Sequence, residues 1–155
     1  MTIYLLRHAK AGERGVFDGD DLHRPLSGRG HLQSLGILRL FEDARFDRVL
    51  SSPYVRCMET VVPLAGERGL AIEPSEALTE GASLGGAVAL VNKHMKDGAV
   101  LCTHGDVIPM LLQHYAQNGV DIGTTPQWPK GSTWVLESDA TGEVVSARYI
   151  PPPTD

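Results

Sequence analysis

Two cysteines, Cys57 and Cys102, are all that the 155 residues contain, and they form no CxxC pair. A disulfide framework is therefore not expected, and both thiols read as reduced and buried. The chain also lacks any apolar run near the roughly 18–20 residues that cross a bilayer. The short apolar stretch after Met1 has neither a basic lead nor a cleavage site, so no secretory leader is expected and a cytoplasmic location is the default. Positive charge is not in excess: 14 Lys and Arg stand against 19 Asp and Glu, a net charge of −5. Nucleic acid and anionic membrane are thus poor partners. Any anion has to be caught by a local cluster of cations.

Familiar cofactor and phosphate motifs are missing too. There is no G-x-x-x-x-G-K-[ST], and "GRGHLQ" places Gln33 where a dinucleotide loop needs its third glycine. A cysteine phosphatase would carry an Arg six residues beyond its Cys, where this chain has Pro63 and Ile108. "DGDD" at 18–21 lacks the other positions of a calcium loop and reads as a solvated, mobile segment. His23, His31, His94 and His114 show no metal-ligand spacing, and the last three read as ordinary helix-face residues. Neither a metal nor a cofactor is called for.

What is present suits one globular domain over residues 1–150, with "PPPTD" (151–155) as a flexible tail; apolar residues make up 42% and charged residues 21%. "TIYLLR", "DRVLSS" and "AVLCT" read as buried strands, and "LAIEPSEAL" as a short strand plus loop. Helices are expected from the Ser27 cap to about Phe41, with Leu32, Leu35, Leu38 and Leu40 among its apolar positions, and from a Ser52 cap with Pro53 at the first position to Gly69. Two more are expected over 84–96 and from about Asp106 to Gln117. "STWVLES" and "EVVSARYI" flank the turn "DATG" as a final, antiparallel pair. Strands alternating with helices imply an α/β fold with a mostly parallel central sheet and helices on both faces.

Such sheets bind ligands outside the carboxyl ends of their strands. The first strand ends in Arg7 and His8, the second leads into a helix whose first turn holds Arg56, and the third ends in His104. Three strand–helix junctions therefore turn cationic or imidazole side chains toward one edge. Helix N-termini add partial positive charge and free N–H groups there. Together they form an anion pocket suited to a phosphoryl group.

"RHA" (7–9), "SSPYVRCMET" (51–60), "LTEG" (78–81) and "THGD" (103–106) resemble, in order and spacing, the signature blocks of the histidine phosphatase superfamily. "RHAKAG" and "RPLS" resemble its SixA-type, phosphohistidine phosphatase-like branch. "GDDLHRPL" and "KGSTWVL" are similar to the phosphatase domain fused behind Nudix domains in some actinobacterial proteins; here that domain would stand alone, with or without a separate Nudix partner. The resemblance implies a phosphoglycerate mutase-like fold and a phosphatase that passes through a phosphohistidine on His8. Arg7 and Arg56 would clamp the phosphoryl oxygens and disfavour the imidazolium, His104 would donate a further hydrogen bond, and Glu80 would be the general acid, with Glu76 as fallback. Arg24 and Lys10 are expected at the pocket mouth, facing the substrate body or a second anionic group.

Ala9 replaces the glycine most members carry after the histidine, and Arg14 falls where mutase-like members have an asparagine. The long insertions that build a lid are absent. An open site favours hydrolysis over mutase activity. The substrate class is a phosphorylated small molecule, a nucleotide or a phosphohistidine protein. The rival readings are a phosphate- or phosphoprotein-binding module without turnover and a phosphoglycerate mutase-type phosphotransferase.

Overall fold

The computed structural model describes residues 1–154. Six strands form one sheet in the order β3-β2-β4-β1-β5-β6. They are β1 (Thr2–Arg7), β2 (Arg48–Ser51), β3 (Ile72–Pro74), β4 (Ala99–Thr103), β5 (Thr133–Ser138) and β6 (Val144–Ile150). β1 to β4 run parallel, while β5 lies antiparallel to β1 and β6 antiparallel to β5. The mostly parallel α/β sheet read from the sequence is the architecture observed.

Alternation along each strand divides the core into two layers. Ile3, Leu5, Ala99 and Leu101 point to one face, with Val91, Ile108 and Leu111 of α3 (Leu84–His94) and α4 (Val107–Gln117). Leu6, Val49, Val100 and Cys102 point to the other, with Ile37, Val61 and Leu64 of α1 (Gly28–Leu40) and α2 (Val55–Arg68). Each of the fully buried Val, Leu and Ile side chains among them contributes roughly 1.5–3 kcal/mol relative to exposure.

α1 begins as the sequence suggests, with the Ser27 hydroxyl accepting from the Gly30 N–H. Its buried face differs from the expected one. Gly30, Ser34 and Ile37 face inward with Phe41, whereas Leu32, Leu35 and Leu40 are exposed. Gly30 is required by close approach: a Cβ there would sit 1.9 Å from the Lys10 carbonyl oxygen. α2 also departs from expectation, starting at Val55 rather than Pro53. The Ser52 hydroxyl accepts from the Tyr54 N–H but is otherwise turned to His104, so no side chain caps the helix. Gly69 ends it in the left-handed conformation, as expected. His94, the last residue of α3, read from the sequence as an ordinary helix-face residue, is buried. Beyond β6, Pro153 lies against Gly36 and Pro152 against Gly131, and Asp155 is outside the described residues.

Candidate active site

The three parallel strands β1, β2 and β4 end side by side, and backbone hydrogen bonds extend the sheet past their ends. His8 N–H donates to Thr103 O at 3.1 Å, and Ser52 N–H donates to Cys102 O at 2.9 Å. Residues 8, 52 and 104 are thereby drawn to one edge. The rings of His8 and His104 stand 5.5 Å apart between centroids and are inclined at 65°. Both are buried.

His8 Nδ1 lies 2.7 Å from the carbonyl of Ala9. A carbonyl can only accept, so Nδ1 carries the proton and Nε2 keeps its lone pair. Burial pushes the imidazole pKa down from 6.5 to about 3, and His104, Arg56 and Arg7 push the same way against the Ala9 bond. The sequence assigned this effect to the arginines alone; exclusion from water is the larger cause. His8 is neutral at physiological pH.

His104 Nε2 meets the Ser52 hydroxyl at 2.8 Å and the Cys57 thiol at 3.5 Å. Ser52 Oγ accepts from the Tyr54 N–H and keeps its own proton to donate to His104 Nε2, an arrangement that fits the His104 tautomer with its proton on Nδ1. That Nδ1 is buried without a hydrogen-bond partner. An unpaired buried donor is costly and marks a place for a ligand oxygen. Cys57 and Cys102 are free and buried, as expected, and burial pushes the Cys102 thiol well above its ordinary range.

Arg56 is 0% exposed. So deep a charge needs partners. Its Nη1 donates to Asp21 O, and its Nη2 donates to Asp21 Oδ2 at 3.2 Å and to Glu80 Oε1 at 2.9 Å. Glu80 Oε1 also lies 3.4 Å from Arg14 Nη2 and 3.7 Å from His104 Nδ1. One carboxylate oxygen thus stands among two guanidinium groups and an imidazole. Arg7 Nη1 donates to Trp128 O, and its Nε has no partner. Gly105 makes room for the guanidinium: a Cβ there would lie 2.7 Å from it.

Arg7, His8, Arg56 and Glu80 line one cavity of about 300 Å³ together with Lys10, Arg14, Arg24 and Lys130; His104 is not among its lining residues and approaches it through Glu80, 3.7 Å from its Nδ1. Arg24 lines it but is only 6% exposed; its Nε donates to Asp21 Oδ1 and its Nη1 to Gly12 O. It lines the cavity as the sequence reading expected and also braces the 12–24 loop. Exposed Glu76 is not part of the wall.

Asp21 was missed by the sequence reading, which left its segment solvated and mobile. The residue sits in a short 3-10 turn, Asp21–His23. There its carboxylate pairs with Arg24 and Arg56, and these contacts, led by the Arg24 hydrogen bond, hold it below the ordinary aspartate range. The three-residue spacing from Arg24 was the available signal. Ser52 was read as a helix cap, and Lys130 within "KGSTWVL" had no role.

A curated relative, an 8-oxo-(d)GTP phosphatase of Mycolicibacterium smegmatis (strain ATCC 700084 / mc(2)155), is 33% identical over 159 residues. The match takes in 99% of this chain but only 49% of the relative, so the chain spans about half of that protein's length. Among solved structures, the protein histidine phosphatase SixA complexed with tungstate superposes with a TM-score of 0.75 at 19% identity, covering 99% of this chain and 97% of its own. A mycobacterial glucosyl-3-phosphoglycerate phosphatase complexed with VO3 gives 0.74 at 15% identity, covering 99% of each chain. These likenesses show the fold. The family model for the histidine phosphatase superfamily (branch 1) matches residues 3–86, more than half of the chain, and includes His8, Arg56 and Glu80. The chain belongs to the histidine phosphatase superfamily, branch 1.

Proposed function

We propose that this domain, residues 1–150, hydrolyses a phosphorylated substrate through a covalent phosphohistidine on His8 Nε2, with arginines in the place of a metal ion. The observation that carries the reading is the His8 Nδ1–Ala9 carbonyl contact, which leaves a neutral, unprotonated Nε2 facing the cavity beside Arg7 and Arg56. A neutral imidazole is a competent nucleophile. The phosphoryl oxygens gain charge in the transition state, where Arg7, Arg56 and His104 Nδ1–H stabilise them. In this reading Glu80 leaves Arg56 as substrate enters. Freed of Arg56, its carboxylate takes up a proton from solvent, gives it to the departing alkoxide and, ionised again, draws a proton from the water that hydrolyses the phosphohistidine. Tungstate and VO3 in the two structural neighbours are oxyanions, which supports an oxyanion pocket here.

Quenching the protein in alkaline detergent after brief exposure to 32P-labelled substrate tests this directly. Wild type is expected to retain acid-labile, base-stable label, and His8→Asn to retain none and to lose turnover. Turnover surviving in His8→Asn would refute the mechanism. Binding without phosphate release in wild type would favour the non-catalytic module, and interconversion of phosphoglycerates the mutase.

A further inference from the structure

The cavity wall carries Arg7, Lys10, Arg14, Arg24, Arg56 and Lys130 against Glu13 and Glu80, in a chain of net charge −5. Most of these cations have work inside the fold. Arg24 and Arg56 pair with Asp21, and Arg56 and Arg14 with Glu80. Among the described residues, Lys10 and Lys130 form no ion pair.

Single exposed lysines are ordinarily just solvated. The main chain that carries these two is built into place. The Gln33 side chain of α1 reaches both: its Oε1 accepts from Lys10 N–H at 2.8 Å, and its Nε2 donates to Lys130 O at 3.4 Å. Only this orientation of the amide satisfies an N–H on one side and a carbonyl on the other. Lys10 O further accepts from the N–H and hydroxyl of Ser27. Next to Lys130, Gly131 N–H donates to the carbonyls of Arg7 and His8. The main chains at Lys10 and Lys130, 120 positions apart, are thus fastened to each other and to the nucleophile's own backbone, and both side chains start from fixed points on the cavity wall. Lys130 is held below the ordinary lysine range, by burial first and then by Arg7, Arg24, Lys10 and Arg56. The fold gathers these like charges against their repulsion, which an anion would relieve.

One phosphoryl group is already served by Arg7, Arg56 and His104. A cavity of about 300 Å³ matches the lower end of small-molecule sites, about 300–1,000 Å³, and holds more than that group. We propose that Lys10 and Lys130, positioned by Gln33, form a second phosphate subsite, so that the preferred substrate carries its scissile phosphoryl group on another phosphate. This rests on the phosphohistidine reading and names its substrate class as a phosphoanhydride. His8 Nε2 forms the new bond to the terminal phosphorus as the bond from phosphorus to the bridging oxygen breaks. The bonding pair leaves on that oxygen, now part of a phosphate held by the lysines. Water then attacks the phosphohistidine, the N–P pair returns to Nε2, and the water proton passes to Glu80. A phosphate leaving group is a far weaker base than an alkoxide, so its departure needs little help from an acid.

Calorimetric titration with methylenediphosphonate and with methylphosphonate tests the subsite without turnover. Wild type is expected to prefer the diphosphonate by on the order of tenfold or more, since two charge-assisted contacts are added. The double variant Lys10→Gln/Lys130→Gln is expected to lose that preference, and Gln33→Met to lose part of it while circular dichroism shows a native fold. Equal affinity for the two probes in wild type, or a preference that survives the double variant, overturns the proposal. Turnover of a nucleoside diphosphate and of tripolyphosphate, each compared with p-nitrophenyl phosphate, distinguishes an organic from an inorganic carrier. In an active enzyme, no advantage for either would also overturn it. If no substrate is turned over, the hydrolase reading fails, and the titration still decides the subsite.

Discussion

Acidification is expected to destabilise the wild-type protein through His8, by an amount the structure sets. The His8 pKa falls from 6.5 to about 3 on folding, chiefly through burial. Between those values the unfolded chain binds the proton and the folded one does not, so stability rises with pH there. The contribution is fully present above 6.5 and is lost as pH falls toward 3. At pH 5 the unfolded imidazole is protonated roughly thirtyfold over neutral, while the folded one stays almost wholly neutral. The loss between pH 7 and pH 5 is therefore about 2 kcal/mol, and any folded value below about 4 yields nearly the same figure. With a urea m-value of about 2 kcal/mol/M, the midpoint should fall by about 1 M. Asn cannot titrate, so His8→Asn should lack this component. Asp21 and His94 also titrate away from their ordinary values, but they are common to both proteins and cancel in the comparison. Urea unfolding of each protein at the two pH values, followed by the fluorescence of buried Trp134, supplies the four midpoints. Equal losses in wild type and variant would refute the claim that His8 is held neutral by the fold.

Two further substitutions examine the rest of the cavity. Gly105→Ala places a methyl group 2.7 Å from the Arg7 guanidinium and should lower kcat/KM for p-nitrophenyl phosphate on the order of tenfold by displacing it; an unchanged kcat/KM would show that Arg7 does not clamp the phosphoryl group. Glu80→Gln should slow phosphomonoester hydrolysis roughly a hundredfold and phosphoramidate hydrolysis much less, because imidazole leaves more readily than an alkoxide. Equal losses on the two substrates would remove Glu80 as the acid.

The strand endings were legible because they are local. Alternation and apolar runs place β1, β2 and β4, caps and glycines bound the helices, and a parallel sheet presents its carboxyl ends to ligand. Arg7, His8, Arg56 and His104 follow from those rules alone. The buried face of α1 did not, because Leu32, Leu35 and Leu40 outrank Ser34 in hydropathy, yet it is Ser34 that is buried, beside Gly30, where only a glycine fits against the Lys10 backbone. Ser52 was ambiguous for a related reason: a hydroxyl before a helix serves equally as a cap or as a histidine's partner until the histidine's position is known.

The amino-acid order by itself determined which chemistry the chain carries, through residue types at the ends of periodic segments. Only the tertiary structure decided the electrostatic state and the boundary of the site. Burial sets the charge of His8, Asp21 and Glu80 hold Arg56 across separations of 35 and 24 residues, and Gln33 joins Lys10 to Lys130 from a third element. Solvent exclusion and contacts across long loops are properties of the closed chain, and no local pattern encodes them.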